Sequence, residues 1–187
     1  MRKIFAFIMT TLDGYYEGPG GEFDFWVLDD EFEEFSVQQL DEVDALLFGR
    51  VTYEAMAAYW PTPEAEKDDP RVARRMNGLS KIVVSRTLDE PEWANTRLIA
   101  GDVERELSEL KERPGKDVAI LGSSALTLSL IEMGLLDELR LMINPVVLGA
   151  GKSVFRGAGG HLRVELLKSR GFSSGSVLLY YRPASAA

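Results

Sequence analysis

The stretch Asp44-Ala45-Leu46-Leu47-Phe48-Gly49-Arg50-Val51-Thr52-Tyr53-Glu54 decides the fold. Its first half, from Asp44 to Phe48, is a short apolar run closed by Gly49, the pattern of a strand buried on both faces. Just beyond, Thr52 can cap a helix that runs through Trp60 and is stopped by Pro61 and Pro63. A buried strand that passes through one glycine into a helix is the unit of an open α/β sheet. Two other segments repeat the form. Lys81–Ser85 is a strand followed by Arg86-Thr87, and Val118–Leu121 is a strand followed by Gly122-Ser123-Ser124 and a helix over Ala125–Met133.

Working outward, residues 2–9 read as a strand ending in the turn Leu12-Asp13-Gly14, with a Gly- and aromatic-rich loop from Tyr15 to about Trp26. Phe32, Phe35, Leu40 and Val43 recur near helical spacing among acidic residues, which predicts an amphipathic helix. Residues 62–70, polar and proline-containing, read as a loop, and Pro70 opens a short helix over Val72 to Leu79. Thr96–Ala100 is a further strand. Asp102 caps a helix whose Val103, Leu107 and Leu110 share one side, and Pro114-Gly115 breaks it. Glu138–Leu148 reads as a long strand, and Val164–Lys168 with Val177–Tyr181 bracket a Gly/Ser turn as a terminal hairpin. The sum is a single domain over residues 1–187. It has a mostly parallel central sheet, helices on both faces and an antiparallel C-terminal hairpin at one edge.

Composition narrows the function. With 187 residues, 45% of them hydrophobic, the chain can bury one sizeable core. Its 21 basic and 30 acidic residues give a net charge of −9, which repels nucleic acid and anionic membranes at long range. A few local basic groups can still hold an anionic cofactor at contact distance. There is no cysteine, so disulfides, thiolate metal sites and cysteine nucleophiles are excluded, and the single histidine, His161, cannot form a metal cluster. No metal is expected. The apolar run Ile4–Met9 after Met1-Arg2-Lys3 is too short for a signal peptide and meets Asp13 at once. No apolar stretch nears the roughly 18 residues of a membrane helix. A soluble, cytoplasmic protein is expected. Gly149-Ala150-Gly151-Lys152-Ser153 imitates the tail of a phosphate-binding P-loop, but Val146 stands where that loop needs its first glycine. No G-x-G-x-x-G follows the first strand.

What remains is the repeated form itself: strand end, small or polar residues, then a turn or helix start. In an open α/β sheet the carboxyl ends of strands meet at a ligand crevice, where helix N-termini offer backbone N–H groups to phosphate. Arg50 and Arg86 can add forked, charge-assisted hydrogen bonds there. Taken singly, Gly49 reads more often as a turn residue and Arg50 as a solvated or salt-bridged side chain, and Ser123-Ser124 can simply begin a helix.

Five segments together carry a resemblance: Thr11-Leu12-Asp13-Gly14-Tyr15, Phe48 to Glu54, Val83-Val84-Ser85-Arg86, Leu121 to Leu126, and Leu136 to Arg140 with Pro145 to Gly151 and Phe155. In that order they resemble the dihydrofolate-reductase-like superfamily. They are most similar to the reductase domain of bacterial riboflavin biosynthesis and its stand-alone relatives, over residues 2 to about 182. The resemblance implies a three-layer α/β fold, a homodimer and an NADPH-dependent reductase of a small heterocycle, of the 5-amino-6-(5-phosphoribosylamino)uracil reductase type. Dihydrofolate reduction and nucleotide binding without turnover are the alternatives. It implies that Gly49, Arg50 and Thr52 hold NADPH phosphates, with Arg50, Ser85 and Arg86 at the 2′-phosphate. Gly122, Ser123, Ser124, Ala125 and Leu126 would support the pyrophosphate and nicotinamide side. Relatives commonly carry Gly-Gly where this chain has Gly122-Ser123, and in dihydrofolate reductases that peptide is cis. The loop after Asp13-Gly14 would act as a lid. Asp13 and Glu54 are the candidate proton donors. Trp26, Asp29 and Asp30 are the candidate substrate contacts, with the two aspartates reading more readily as helix-dipole acids on a solvated face.

Overall fold

Along β1 (Ile4–Thr11) successive side chains point to opposite faces, and the two sets are both apolar as far as Met9. A strand with that pattern has to sit inside a sheet covered on both sides. The computed structural model describes residues 1–184. After β1 come β2 (Tyr15–Glu17), α1 (Asp30–Asp41), β3 (Val43–Gly49), α2 (Arg50–Tyr59), α3 (Pro63–Asp68), α4 (Pro70–Gly78) and β4 (Ser80–Val84). There follow β5 (Thr96–Ile99), α5 (Val103–Glu112), β6 (Asp117–Leu121), α6 (Ser124–Glu132) and β7 (Glu138–Asn144), then β8 (Lys152–Ser153), β9 (Val164–Gly171) and β10 (Val177–Pro183).

Eight strands form one sheet in the order β5-β4-β3-β6-β1-β7-β10-β9. The pairs from β5 across to β7 are parallel, and β10 pairs antiparallel with both β7 and β9. Ile4, Ala6 and Ile8 pack on one face with Leu107 and Leu110 of α5 and Leu126 and Leu130 of α6. Phe5 packs on the other face with Val37 and Leu40 of α1, Tyr53 of α2 and Met76 of α4, while Phe7 meets Phe35. Each such large side chain, taken fully out of water, contributes roughly 1.5–3 kcal/mol. The edge strand β9 is largely exposed, Leu166 and Leu167 included.

The structure corrects several local expectations. Val43 opens β3 instead of closing the first helix, because its side chain is needed in the core beside Leu46 and Phe48. The 62–70 segment contains α3: Pro63 is preset for a first helical turn, and the Thr62 hydroxyl accepts from the Ala65 N–H. β7 stops at Asn144, short of Leu148, since Pro145 has no N–H for the ladder. Tyr15–Glu17 is a strand after all, clipped antiparallel to β8. Thr52 is not a cap. The helix starts two residues earlier, with Gly49 in the cap position.

Candidate functional site: a crevice at the strand ends

β4, β3 and β6 are neighbours in the sheet, so the three repeated segments emerge side by side at one end of it. Gly49 lies level with Val84 across the β3–β4 pair, which sets Arg50 beside Ser85 and Arg86. From β3 the chain turns into α2 on the Phe5 face, and from β6 into α6 on the Ile4 face. Adjacent parallel strands whose helices leave to opposite faces open a crevice between them. A Cβ added to Gly122 would touch the Thr52 methyl at 3.8 Å, so the starts of α2 and the β6 turn face each other closely. Gly122 itself has φ +74°, a conformation costly for residues with a Cβ, and its peptide bond to Ser123 is trans.

Helix capping separates this crevice from the rest of the molecule. Four of the six described helices have a side-chain cap: Asp29, Thr62, Asp69 and Asp102 accept from the N–H groups of Phe32, Ala65, Val72 and Arg105. The two that have none are α2 and α6. Gly49 has no side chain to offer. Ser123 stands at the cap position of α6, but its buried hydroxyl accepts instead from the Gly49 N–H at 3.1 Å, tying the two helix starts together. Neither helix has an acidic residue in its first turn. Their first N–H groups and dipoles thus converge on the crevice without an internal carboxylate, an arrangement suited to phosphate.

Two arginines flank it. Arg50 Nη1 donates to both carboxylate oxygens of Glu54, at 3.0 and 2.9 Å, on the half-exposed outer side of α2. Arg86 is exposed. Its turn is shaped by the buried Ser85, whose hydroxyl accepts from the N–H groups of Thr87 and Leu88 at 3.1 and 3.0 Å. Of the expected cofactor residues, Gly49, Arg50, Thr52, Ser85, Arg86, Gly122, Ser123, Ser124 and Ala125 gather at this edge. The Leu126 side chain is turned into the core instead. These groups fit a phosphorylated dinucleotide: uncapped amides for the pyrophosphate and guanidinium groups for a further phosphate.

The RibD C-terminal domain model matches residues 2–178. The uncharacterized protein YyaP of Bacillus subtilis (strain 168) is 34% identical over 183 residues, covering 96% of this chain and 94% of its own. The chain belongs to the RibD C-terminal domain family. Among solved structures, the deaminase/5-amino-6-(5-phosphoribosylamino)uracil reductase of Thermotoga maritima superposes with TM-score 0.69 at 17% identity, over 98% of this chain and 57% of that one. Dihydrofolate reductase of Enterococcus faecalis, complexed with NADP(H), gives 0.62 at 17% identity, over 97% of this chain and 96% of that one. Both establish the shared dihydrofolate-reductase-like fold.

Within this RibD C-terminal fold the expected catalytic and substrate residues take different places. Asp13 is a brace. Its carboxylate accepts from the Thr11 hydroxyl at 2.6 Å, from Gly149 N–H at 2.7 Å and from Leu148 N–H at 3.1 Å. The Thr11 bond first, then those amides, hold its pKa down at about 2, so it carries no proton to donate near neutrality. Glu54 is the Arg50 partner described above. Asp29 caps α1, Asp30 begins it, and Trp26 stacks edge-on against Phe25 in the preceding loop, with ring centroids 4.4 Å apart. None of these three is joined to the crevice by a hydrogen bond among the described residues. The sequence reading gave no site role to Met9, Leu121 or Phe32. They are partly buried apolar side chains packed beside Phe7 at the ends of β1 and β6 and the start of α1. The period-2 run Phe5, Phe7, Met9 carried that signal. No helix among the described residues is long and apolar enough to cross a membrane.

Proposed function

We propose that this protein is an NADPH-dependent reductase of a small planar heterocycle, with the dinucleotide phosphates held at the β4-β3-β6 strand ends. The observation that carries the reading is the pair of helix N-termini, α2 and α6, left without side-chain caps while the other four are capped. When bound, the nicotinamide ring supplies hydride to the substrate. The chain's own task is binding and orientation. The first amides of α2 and α6 hold the pyrophosphate, and Arg50 and Arg86 hold the 2′-phosphate, favouring NADPH over NADH. Beyond Gly122, the apolar ends of β1 and β6 give a surface of Met9, Leu121 and Phe32 on which a ring can lie and from which water is excluded.

The test is direct. NADPH added to purified protein should show enhanced nicotinamide fluorescence at micromolar concentration, with a weaker response to NADH. Oxidation followed at 340 nm across a pterin and pyrimidine panel should identify a turned-over ring. Tight binding with no oxidation across the panel would indicate a nucleotide-binding protein without turnover, and absence of NADPH binding would remove the reading. A homodimer through the β9 edge belongs to the same proposal, supported by the exposed Leu166 and Leu167 on that strand. A monomer in sedimentation equilibrium at micromolar protein would remove it.

A further inference from the structure

Ser123 stands where a helix cap belongs and does not act as one. Its backbone, with φ −77° and ψ 77°, is that of the centre of an inverse γ-turn. The Ser124 N–H closes that turn onto the Gly122 carbonyl at 2.9 Å. A serine at a cap position ordinarily accepts from an amide in the first turn of its own helix. Here the hydroxyl oxygen is taken by the Gly49 N–H at 3.1 Å, from the end of β3. The Ser123 carbonyl meanwhile accepts from the Thr127 N–H and hydroxyl, both at 2.9 Å, which fixes the residue to the first turn of α6. Gly49 is itself the cap residue of α2. One hydroxyl therefore links the starts of two helices that leave to opposite faces of the sheet.

This link fixes which donors stay open. α6 spends the Ser124 N–H on the γ-turn and keeps those of Ala125 and Leu126, while α2 keeps those of Arg50, Val51 and Thr52. A serine hydroxyl donates one hydrogen bond besides accepting. Among the described residues the Ser123 hydroxyl only accepts, although Ser123 is 3% exposed. Its hydrogen is unspent in a place where an unmade bond is costly. The gap beside it is narrow. A Cβ on Gly49 would lie 3.9 Å from both the Ser123 Oγ and the Leu126 Cβ, and one on Gly122 would lie 3.8 Å from the Thr52 methyl. A side chain at either glycine would fill the space between the two helix starts.

The geometry points to Ser123 as the positioning residue of this crevice: its oxygen sets the spacing of the α2 and α6 starts through Gly49, and its hydroxyl hydrogen binds a pyrophosphate oxygen lying between them. The role rests on the proposed dinucleotide site but is tested apart from it, because it concerns the pyrophosphate and not the 2′-phosphate assigned to Arg50 and Arg86. ADP-ribose carries the pyrophosphate without the 2′-phosphate, and adenosine 2′-monophosphate carries the reverse. Calorimetric titration of both, and of NADPH, is made on wild type and on Ser123→Ala. Wild-type NADPH binding decides the parent reading. The variant should bind ADP-ribose and NADPH at least about tenfold more weakly, the loss of one hydrogen bond to a charged group, and adenosine 2′-monophosphate as wild type does. Unchanged ADP-ribose affinity overturns the proposal and leaves the NADPH site standing. Equal losses for ADP-ribose and adenosine 2′-monophosphate overturn it as well, since they mean general disruption of the crevice. If wild type binds ADP-ribose but not NADPH, the parent reading falls and the variant still decides this one; binding of neither removes both. Should Ser123→Ala fail to fold, 15N-labelled wild type decides. ADP-ribose should shift the amides of residues 50–52 and 123–126 while the Gly49 amide stays protected from exchange. Unshifted 123–126 amides, or a Gly49 amide that exchanges freely in the free protein, overturn the proposal.

Discussion

Replacing Arg50 by alanine separates the two things that this side chain does. Within the free protein it pairs with Glu54 one helical turn on, and the two side chains are 43% and 47% exposed. Exposed i,i+4 pairs contribute only about 0.3–0.5 kcal/mol, so Arg50→Ala should leave folding stability almost unchanged. Against a 2′-phosphate the same guanidinium makes charge-assisted hydrogen bonds, worth roughly 1.5–3 kcal/mol each in protein settings. Half-exposure and the competing Glu54 carboxylate place the net at the low end, about 1.5 kcal/mol, or about a tenfold loss of NADPH affinity. NADH, which has no 2′-phosphate, should bind as it does to the wild type. Glu54→Gln is the converse: it frees Arg50 and removes a negative charge, and should tighten NADPH binding about twofold with NADH unaffected. Fluorescence titration of both dinucleotides, with thermal melting of each variant as the control for folding, reads all of these. Equal losses for NADPH and NADH in Arg50→Ala, or no loss for either, would refute the assignment of Arg50 to the 2′-phosphate.

Three further outcomes follow from the structure. Lys81 is fully buried, with its ammonium donating to the carbonyls of Met76, Asn77 and Leu79 at 2.9 Å and standing 4.4 Å from the Trp93 ring centroid; burial pulls its pKa from 10.5 to about 8. Between those two values the unfolded chain holds the proton and the folded chain does not. Wild-type stability should therefore climb as pH rises through this window, by at most about 3 kcal/mol, and Lys81→Met should lose the climb; parallel urea-unfolding curves from pH 7 to 10.5 would contradict this. Asp13, depressed from 3.8 to about 2, stabilises the fold above the higher value and ceases to do so as pH falls through the lower. Asp13→Asn should flatten that acid limb and speed hydrogen exchange at the Leu148 and Gly149 amides, and an unchanged acid limb with unchanged exchange would count against the brace. Gly151, at φ +152°, lies against the Glu17 carbonyl, so Gly151→Ala should open the β2–β8 clip at a cost of about 1–3 kcal/mol, read as a lower Tm and faster exchange at Glu17.

Much of this molecule was legible in its residues because local chemistry dictates it. The run Ala45–Phe48 could only be a buried strand, Pro61 had to end α2, and Asp102 capped α5 as its position indicated. Five spaced motifs were enough to place the chain in its superfamily. Where the reading slipped, a longer-range partner decided. The need of the core claimed Val43 for β3, and pairing with Lys152–Ser153 made a strand of Tyr15–Glu17. Pro145 was in plain view, yet the apolar residues after it outweighed its missing N–H.

The candidate site divides in the same way. Sequence alone singled out Gly49, Arg50, Arg86 and Gly122 as candidates for phosphate, by type and by their place after strands. Only the tertiary structure decided which backbone amides remain open: those of Leu148 and Gly149 are taken by Asp13, while the starts of α2 and α6 have no side-chain cap. Gly149 lies 136 residues from Asp13 in sequence and donates its N–H to that carboxylate at 2.7 Å. Gly49 lies 74 residues from Ser123, whose hydroxyl it turns away from the α6 amides. Such pairings depend on strand order and on the face to which each helix departs, and neither is written in any local window of the chain.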